Sequence, residues 1–210
     1  MTTLHNLENK FFDLSKLDLN NPDIYKTSFN GSQKPYEFYS AWDRIDKHFD
    51  KYPTNKITFL EIGAYRGLWA EALRAYGKFK GIDVHYSTIT LISHNPENNK
   101  RLYEIQKLYQ SEEKAFDLIP DSSLVESSLK QLPLTSYNIV FIDGNHSYEA
   151  VMIDNSFYCP LASDIVLWHD VIGLPAVKRA IDHSNISLDE VIGKEEGRTS
   201  MGIGVKYVKK

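Results

Sequence analysis

Apolar positions change their spacing several times along the chain, and each change marks an element. From Tyr36 onward Phe38, Trp42, Ile45 and Phe49 recur at three- and four-residue intervals, with Asp43, Arg44, Asp46 and Lys47 falling on the other side. That period predicts an amphipathic helix, which Pro53 ends. Beyond it, short apolar runs alternate with helical patterns. ITFLEI (57–62) predicts a buried strand, LWAEALRAY (68–76) a helix and FKGIDV (79–84) a second strand. ENNKRLYEIQKLY (97–109) predicts a helix, KAFDLI (114–119) a third strand, and SSLVESSLKQL (122–132) a helix capped by Asp121 or Ser122. YNIVFID (137–143), SYEAVMIDNSFY (147–158), DIVLWH (164–169) and AVKRAIDH (176–183) continue as strand, helix, strand, helix. LDEVIG and GIGVKYV, on either side of KEEGRTSM, predict a closing hairpin.

Alternation of this kind builds an α/β fold with a mainly parallel sheet covered on both faces. Residues 1–35 are polar and punctuated by Pro, Gly and Asn, which suggests an N-terminal arm or lid ahead of a single domain over 36–210.

Composition narrows the class. The chain has 210 residues, 42% of them hydrophobic, and a formal charge of −4, which fits one globular domain and gives no basic footprint for nucleic acid. The single cysteine, Cys159, excludes an internal disulfide and fits a small core residue in a reducing compartment. The start of the sequence has no signal-peptide pattern and no apolar run is long enough to span a membrane, so the expectation is a cytoplasmic protein.

Two apolar runs end in polar packets: FIDGNHSYEA (141–150) and DIVLWHDVIG (164–173). In doubly wound sheets ligands bind beyond the carboxyl ends of the strands, so Asp143 and Asp170 are expected on one rim. The DG pair at 143–144 is also compatible with an ordinary turn, Asp170 with a helix cap, and His146 with a hydrogen-bonded histidine of no chemistry. The first strand leads into EIGAYRG (61–67), where Gly63 permits a tight turn and Gly67 close packing of the following helix. Tyr65 stands where a dinucleotide site would need a second glycine, which argues against NAD. Asp83, about twenty residues on, is expected to accept from the hydroxyls of a ribose. These features describe a pocket for an adenosine ligand without a diphosphate, and S-adenosylmethionine fits.

LEIGAYRG with GIDV resembles the first two motifs of class I S-adenosylmethionine-dependent methyltransferases, and FIDGNHSYEAV with VLWHDV is similar to their metal-dependent O-methyltransferase branch, which includes catechol-type and macrolide-sugar enzymes. The resemblance covers roughly residues 57–183. It implies a Rossmann-like seven-stranded sheet with an antiparallel last strand. By position it implies that Gly63 and Gly67 line the methionine part, Glu61 orients that loop, Asp83 holds the ribose, and Asp121 and Ser122 lie near adenine. It further implies Mg2+ or Mn2+ held at Asp143, His169 and Asp170, with His169 in place of the family's carboxylate, and His146 as the base where catechol-type enzymes carry lysine. Asn145 and Tyr148 stand near enough in sequence to orient a substrate.

The implied reaction is methyl transfer to a hydroxyl of a sugar, glycan or small hydroxylated metabolite, with neither nucleic acid nor membrane as partner. The loops 173–176 and 194–200, with the arm, are the expected walls of the acceptor pocket. Metal-dependent hydrolysis, a non-catalytic adenosine-ligand binder and a cephalosporin-hydroxylase-like protein remain alternatives on the same scaffold. A homo-oligomer or a domain of a larger glycan-modifying protein is equally open.

Overall fold

The structure, a computed structural model, describes residues 35–92, 96–193 and 201–209. The arm and the loop 194–200, both expected as pocket walls, lie outside the described residues, as does His94.

Among the described residues, α1 (Pro35–Lys51) is followed by β1 (Lys56–Ile62), α2 (Leu68–Lys80), β2 (Asp83–Ile89), α3 (Pro96–Ser111) and β3 (Ala115–Ile119). Next come a single turn α4 (Glu126–Leu129), β4 (Tyr137–Ile142), α5 (Tyr148–Tyr158), a short 3-10 turn, β5 (Ala162–Trp168), α6 (Pro175–His183), β6 (Glu190–Ile192) and β7 (Ile203–Tyr207). The strands form one seven-stranded sheet in the order β3-β2-β1-β4-β5-β7-β6. β1 to β5 pair in parallel, and β7 is antiparallel to both β5 and β6. The order reverses between β1 and β4, which places a switch point where the sequence put its two polar packets.

Alternation along the strands sends side chains into two cores. Ile57 and Phe59 of β1 face the layer of α1, α2 and α3 with Trp42, Trp69 and Tyr109; Leu60 and Ile62 face the other layer with Val151, Val177 and Ile181. The first core is aromatic: the Trp69 and Phe141 ring centroids lie 4.6 Å apart, and those of Trp42 and Trp69 5.5 Å. Trp42 and Phe38 are thus packing residues, each large burial contributing about 1.5–3 kcal/mol. Among the described residues no helix is long and apolar enough to cross a membrane.

Two expectations are corrected. The second strand is Asp83–Ile89 rather than 79–84, because α2 runs on to Lys80 and ends at Gly81, left-handed at φ 68, whose N–H donates to the Gly77 carbonyl. Asp83 therefore opens β2 instead of closing it. The helix expected over 122–132 contracts to one turn, capped by Val125 rather than by Asp121 or Ser122. On the polar side of α1, Asp43 and Asp46 are buried. Asp46 accepts from the Tyr76 hydroxyl (3.0 Å) and pairs with Lys80 (2.5 Å), so its charge is matched inside the fold.

Candidate active site

Backbone hydrogen bonds carry the sheet one residue beyond its strands. Gly63 N–H donates to the Ile89 carbonyl (3.0 Å), Asp143 N–H to Ile62 (2.9 Å) and His169 N–H to Ile142 (3.2 Å). Gly63, Asp143 and His169 are thereby fixed in a row along the rim. The next residue, Asp170, adopts a left-handed φ of 63, uncommon for a residue with a side chain and often a mark of a working site. That turn brings its carboxylate beside the ring of His169.

After Asp143 the chain turns tightly. Asn145 Oδ1 accepts from Ser147 N–H (2.9 Å), and Ser147 caps α5 by accepting from Ala150 N–H (3.3 Å). The turn aims His146 back at the strand ends. Its Nε2 lies 3.3 Å from Asp143 Oδ1 and 2.9 Å from Asp170 Oδ2. On the inner side, His169 Nδ1 lies 3.2 Å from Asp143 Oδ1 and 3.2 Å from Asp170 Oδ1. Two carboxylates from distant segments thus stand between two imidazoles, one buried and one with its side chain 42% exposed.

Charge explains the protonation this geometry favours. Hydrogen bonding to Asp143, then to Asp170, pushes His146 up to about 9. For His169, burial works against the proton, yet the same two carboxylates prevail and raise it to about 10. Asp170 is held down to about 2: burial opposes ionisation, but the hydrogen bonds from His146 and His169 outweigh it.

The donor set fits a divalent cation. One ligand atom each from Asp143, His169 and Asp170, two carboxylate oxygens and one imidazole nitrogen, lie within 4.8 Å of one another.

One further acid was missed in the sequence. Glu37 of α1 is fully buried, accepts from Gly202 N–H at Oε1 (2.9 Å), and brings Oε2 to 4.0 Å from His169 Nε2. Its signal was faint: an acid beside Phe38 and four residues before Ala41, at the edge of an apolar stripe.

Beside the cluster lies a cavity of about 500 Å³, lined among others by Gly63, Tyr65, Leu91, Asp121, Ser122 and His146. Its volume suits a nucleoside-sized ligand. Gly63, Asp121, Ser122, Asp143 and His146 all line this cavity. Glu61 is not on the cavity wall. It lies buried beneath, where burial pushes it up to about 8 and it accepts a hydrogen bond from the Tyr86 hydroxyl. Gly67 stands at the start of α2, packed against Leu102 and Ile105.

Asp83 is at the far end of the sheet, in register with Lys56 and 3.5 Å from its ammonium, so the expected ribose acceptor is corrected. The carboxyl end of β2 instead offers Thr90 and Leu91 to the cavity. Tyr148 is engaged elsewhere, its hydroxyl 2.9 Å from His183 Nδ1. His85 Nε2 lies 2.5 Å from Asp117 Oδ2.

Fold and rim together define an α/β domain with a cavity and a cluster of two carboxylates and two imidazoles at its switch point. A family model described as "Methyltransferase domain" (Methyltransf_24) matches residues 60–171, more than half of the chain, and the chain belongs to that family. Comparison with curated proteins by sequence gives no match. Among solved structures the chain is similar to the O-methyltransferase NovP at 13% identity and a TM-score of 0.58, over 81% of this chain and 79% of that one. It is also similar to the CurJ carbon methyltransferase at 12% identity and a TM-score of 0.57, over 90% and 59%. A third is the O-methyltransferase TomG from Streptomyces achromogenes, solved in complex with SAM, at 12% identity and a TM-score of 0.51, over 87% and 93%. At such identities the likeness is one of fold, and the chain spans less than two thirds of CurJ.

Proposed function

We propose that this chain is an O-methyltransferase that transfers the methyl group of S-adenosylmethionine to a hydroxyl of a sugar, glycan or other hydroxylated small molecule. A divalent cation would be held by Asp143, His169 and Asp170. The observation that carries this reading is the position of His146: its Nε2 is within 3.3 Å of both acids, its side chain is half open to solvent, and it lines the cavity.

An alcohol is a poor nucleophile because it holds its proton at neutral pH. A bound divalent ion would lower the pKa of the acceptor hydroxyl and offset the carboxylate charge that otherwise keeps His146 protonated. His146 Nε2 then accepts the hydroxyl proton as the oxygen attacks. The new O–C bond forms as the S–C bond breaks, and sulfur keeps the bonding pair. The chain's other contribution is alignment: the rim fixes Gly63, Asp143 and His169 through backbone hydrogen bonds, so acceptor and donor meet on a rigid edge.

Incubation with S-adenosylmethionine, a panel of sugars and catechols, and Mg2+, Mn2+ or a chelator tests the proposal, with methyl gain read by mass spectrometry. Methylation of an oxygen that the chelator abolishes is the expected result. Methylation only at carbon, or transfer indifferent to the chelator, would overturn it.

A further inference from the structure

We propose that Glu37 is a positioning residue that holds the His169 ring with Nδ1 toward Asp143 and Asp170, and that the resulting nitrogen-and-oxygen set prefers Mn2+ over Mg2+. The inference rests on the cation site proposed above.

An imidazole can donate a lone pair from one nitrogen only while the proton sits on the other, so what faces the second nitrogen decides which one is offered. In His169, Nδ1 lies 3.2 Å from both acids, whereas Nε2 is buried and has no hydrogen-bond partner among the described residues. Glu37 faces that nitrogen. Its Oε2 is 4.0 Å away, beyond hydrogen-bond reach but within about 1 Å of it, and its Oε1 is tied to Gly202 N–H. A carboxylate on that side favours a proton at Nε2, so the Nδ1 proton shared with the acids is the one that a cation would displace.

The consequence is chemical selectivity. Magnesium favours an all-oxygen shell and retains water, while nitrogen donors favour first-row transition ions. The nitrogen donor of His169 therefore moves the site away from magnesium. Glu37 belongs to α1, outside residues 60–171, so this support comes from a part of the chain that the family match does not reach.

Calorimetric titration of the whole chain with Mn2+ and with Mg2+, for wild type, His169→Asp, Glu37→Gln and Glu37→Ala, tests both halves. Wild type is expected to bind Mn2+ at least about tenfold more tightly than Mg2+, and His169→Asp, with oxygen donors only, to lose that preference. Glu37→Ala should weaken Mn2+ by about 10- to 100-fold, and Glu37→Gln, which keeps an acceptor oxygen, should recover most of the loss. The visible spectrum of the Co2+-loaded protein should shift in Glu37→Ala and His169→Asp but not in Glu37→Gln, a signature that altered folding alone would not sort in this way. Binding of both ions with equal affinity and a ratio unchanged in His169→Asp would overturn this inference while leaving the cation site standing. No binding of either ion to wild type would overturn both.

Discussion

A Cβ on Gly63 would lie 2.3 Å from the carbonyl oxygen of Asp143. The first glycine of the rim is thus required by the close approach of two strand ends as well as by its φ of 91. Gly63→Ala should destabilise the fold by about 2–5 kcal/mol, combining left-handed strain with overpacking against backbone. Gly81 is the control: it too has a positive φ, but a Cβ there meets nothing within 4 Å. Gly81→Ala should cost only about 1–2 kcal/mol. Urea unfolding of the two variants checks the contrast, and equal losses would mean that the Gly63–Asp143 contact is not tight.

His146 is exposed and makes its contacts through one ring nitrogen, so its removal should spare the fold. His146→Ala is expected to lower kcat by about 10²–10⁴-fold while leaving the affinity for S-adenosylhomocysteine within about twofold, since a proton-transfer group contributes to the transition state rather than to nucleoside binding. Single-turnover methylation and calorimetry measure the two quantities separately. Normal turnover would remove His146 from the mechanism.

Asp83 lies at the amino end of β2, opposite the cavity. Asp83→Asn should therefore leave S-adenosylhomocysteine affinity unchanged and affect only an exposed pair with Lys56, worth little in solution. A tenfold loss of affinity in calorimetry would contradict the placement of the nucleoside at the other end of the sheet.

Glu61 should imprint its own pH dependence on stability. Burial pushes it up to about 8 from its ordinary 4.5, so the folded state holds this proton more tightly than the unfolded state. Its contribution is then fully present below about pH 4.5 and is lost as the pH rises through about 8. Glu61→Gln, a mimic of the protonated group, should show a smaller fall in Tm over that window. Parallel Tm profiles for the two proteins would show that Glu61 is ionised in the folded state at neutral pH.

Much of the fold was legible because the central strands are near-continuous apolar runs that stop abruptly at polar residues. The end of β4 at Asp143 and the end of β5 at His169 and Asp170 could be read in this way, and so could their shared rim. β2 was harder. Phe79, Ile82 and Val84 make a short apolar run, yet Gly81 is a helix terminator, and the β-branched segment that follows is the true strand. The ribose acid went astray with that boundary. Asp121 and Ser122 reached the cavity although the helix they were expected to cap is a single turn, because strand ends place residues at the rim whatever follows them. Glu37 was not legible as a partner of His169. The two are brought together by packing α1 on the sheet, a contact that no local pattern encodes.

The proposed reaction needs a cation and a methyl-donating nucleoside side by side at the ends of β1, β4 and β5. Crystals grown with Mn2+ and S-adenosylhomocysteine, with data collected at the manganese absorption edge, test it most directly. The expected result is one anomalous peak between Asp143, His169 and Asp170, with the nucleoside in the cavity beside Gly63, Asp121 and Ser122. A peak elsewhere, or a nucleoside bound away from that cavity, would contradict it.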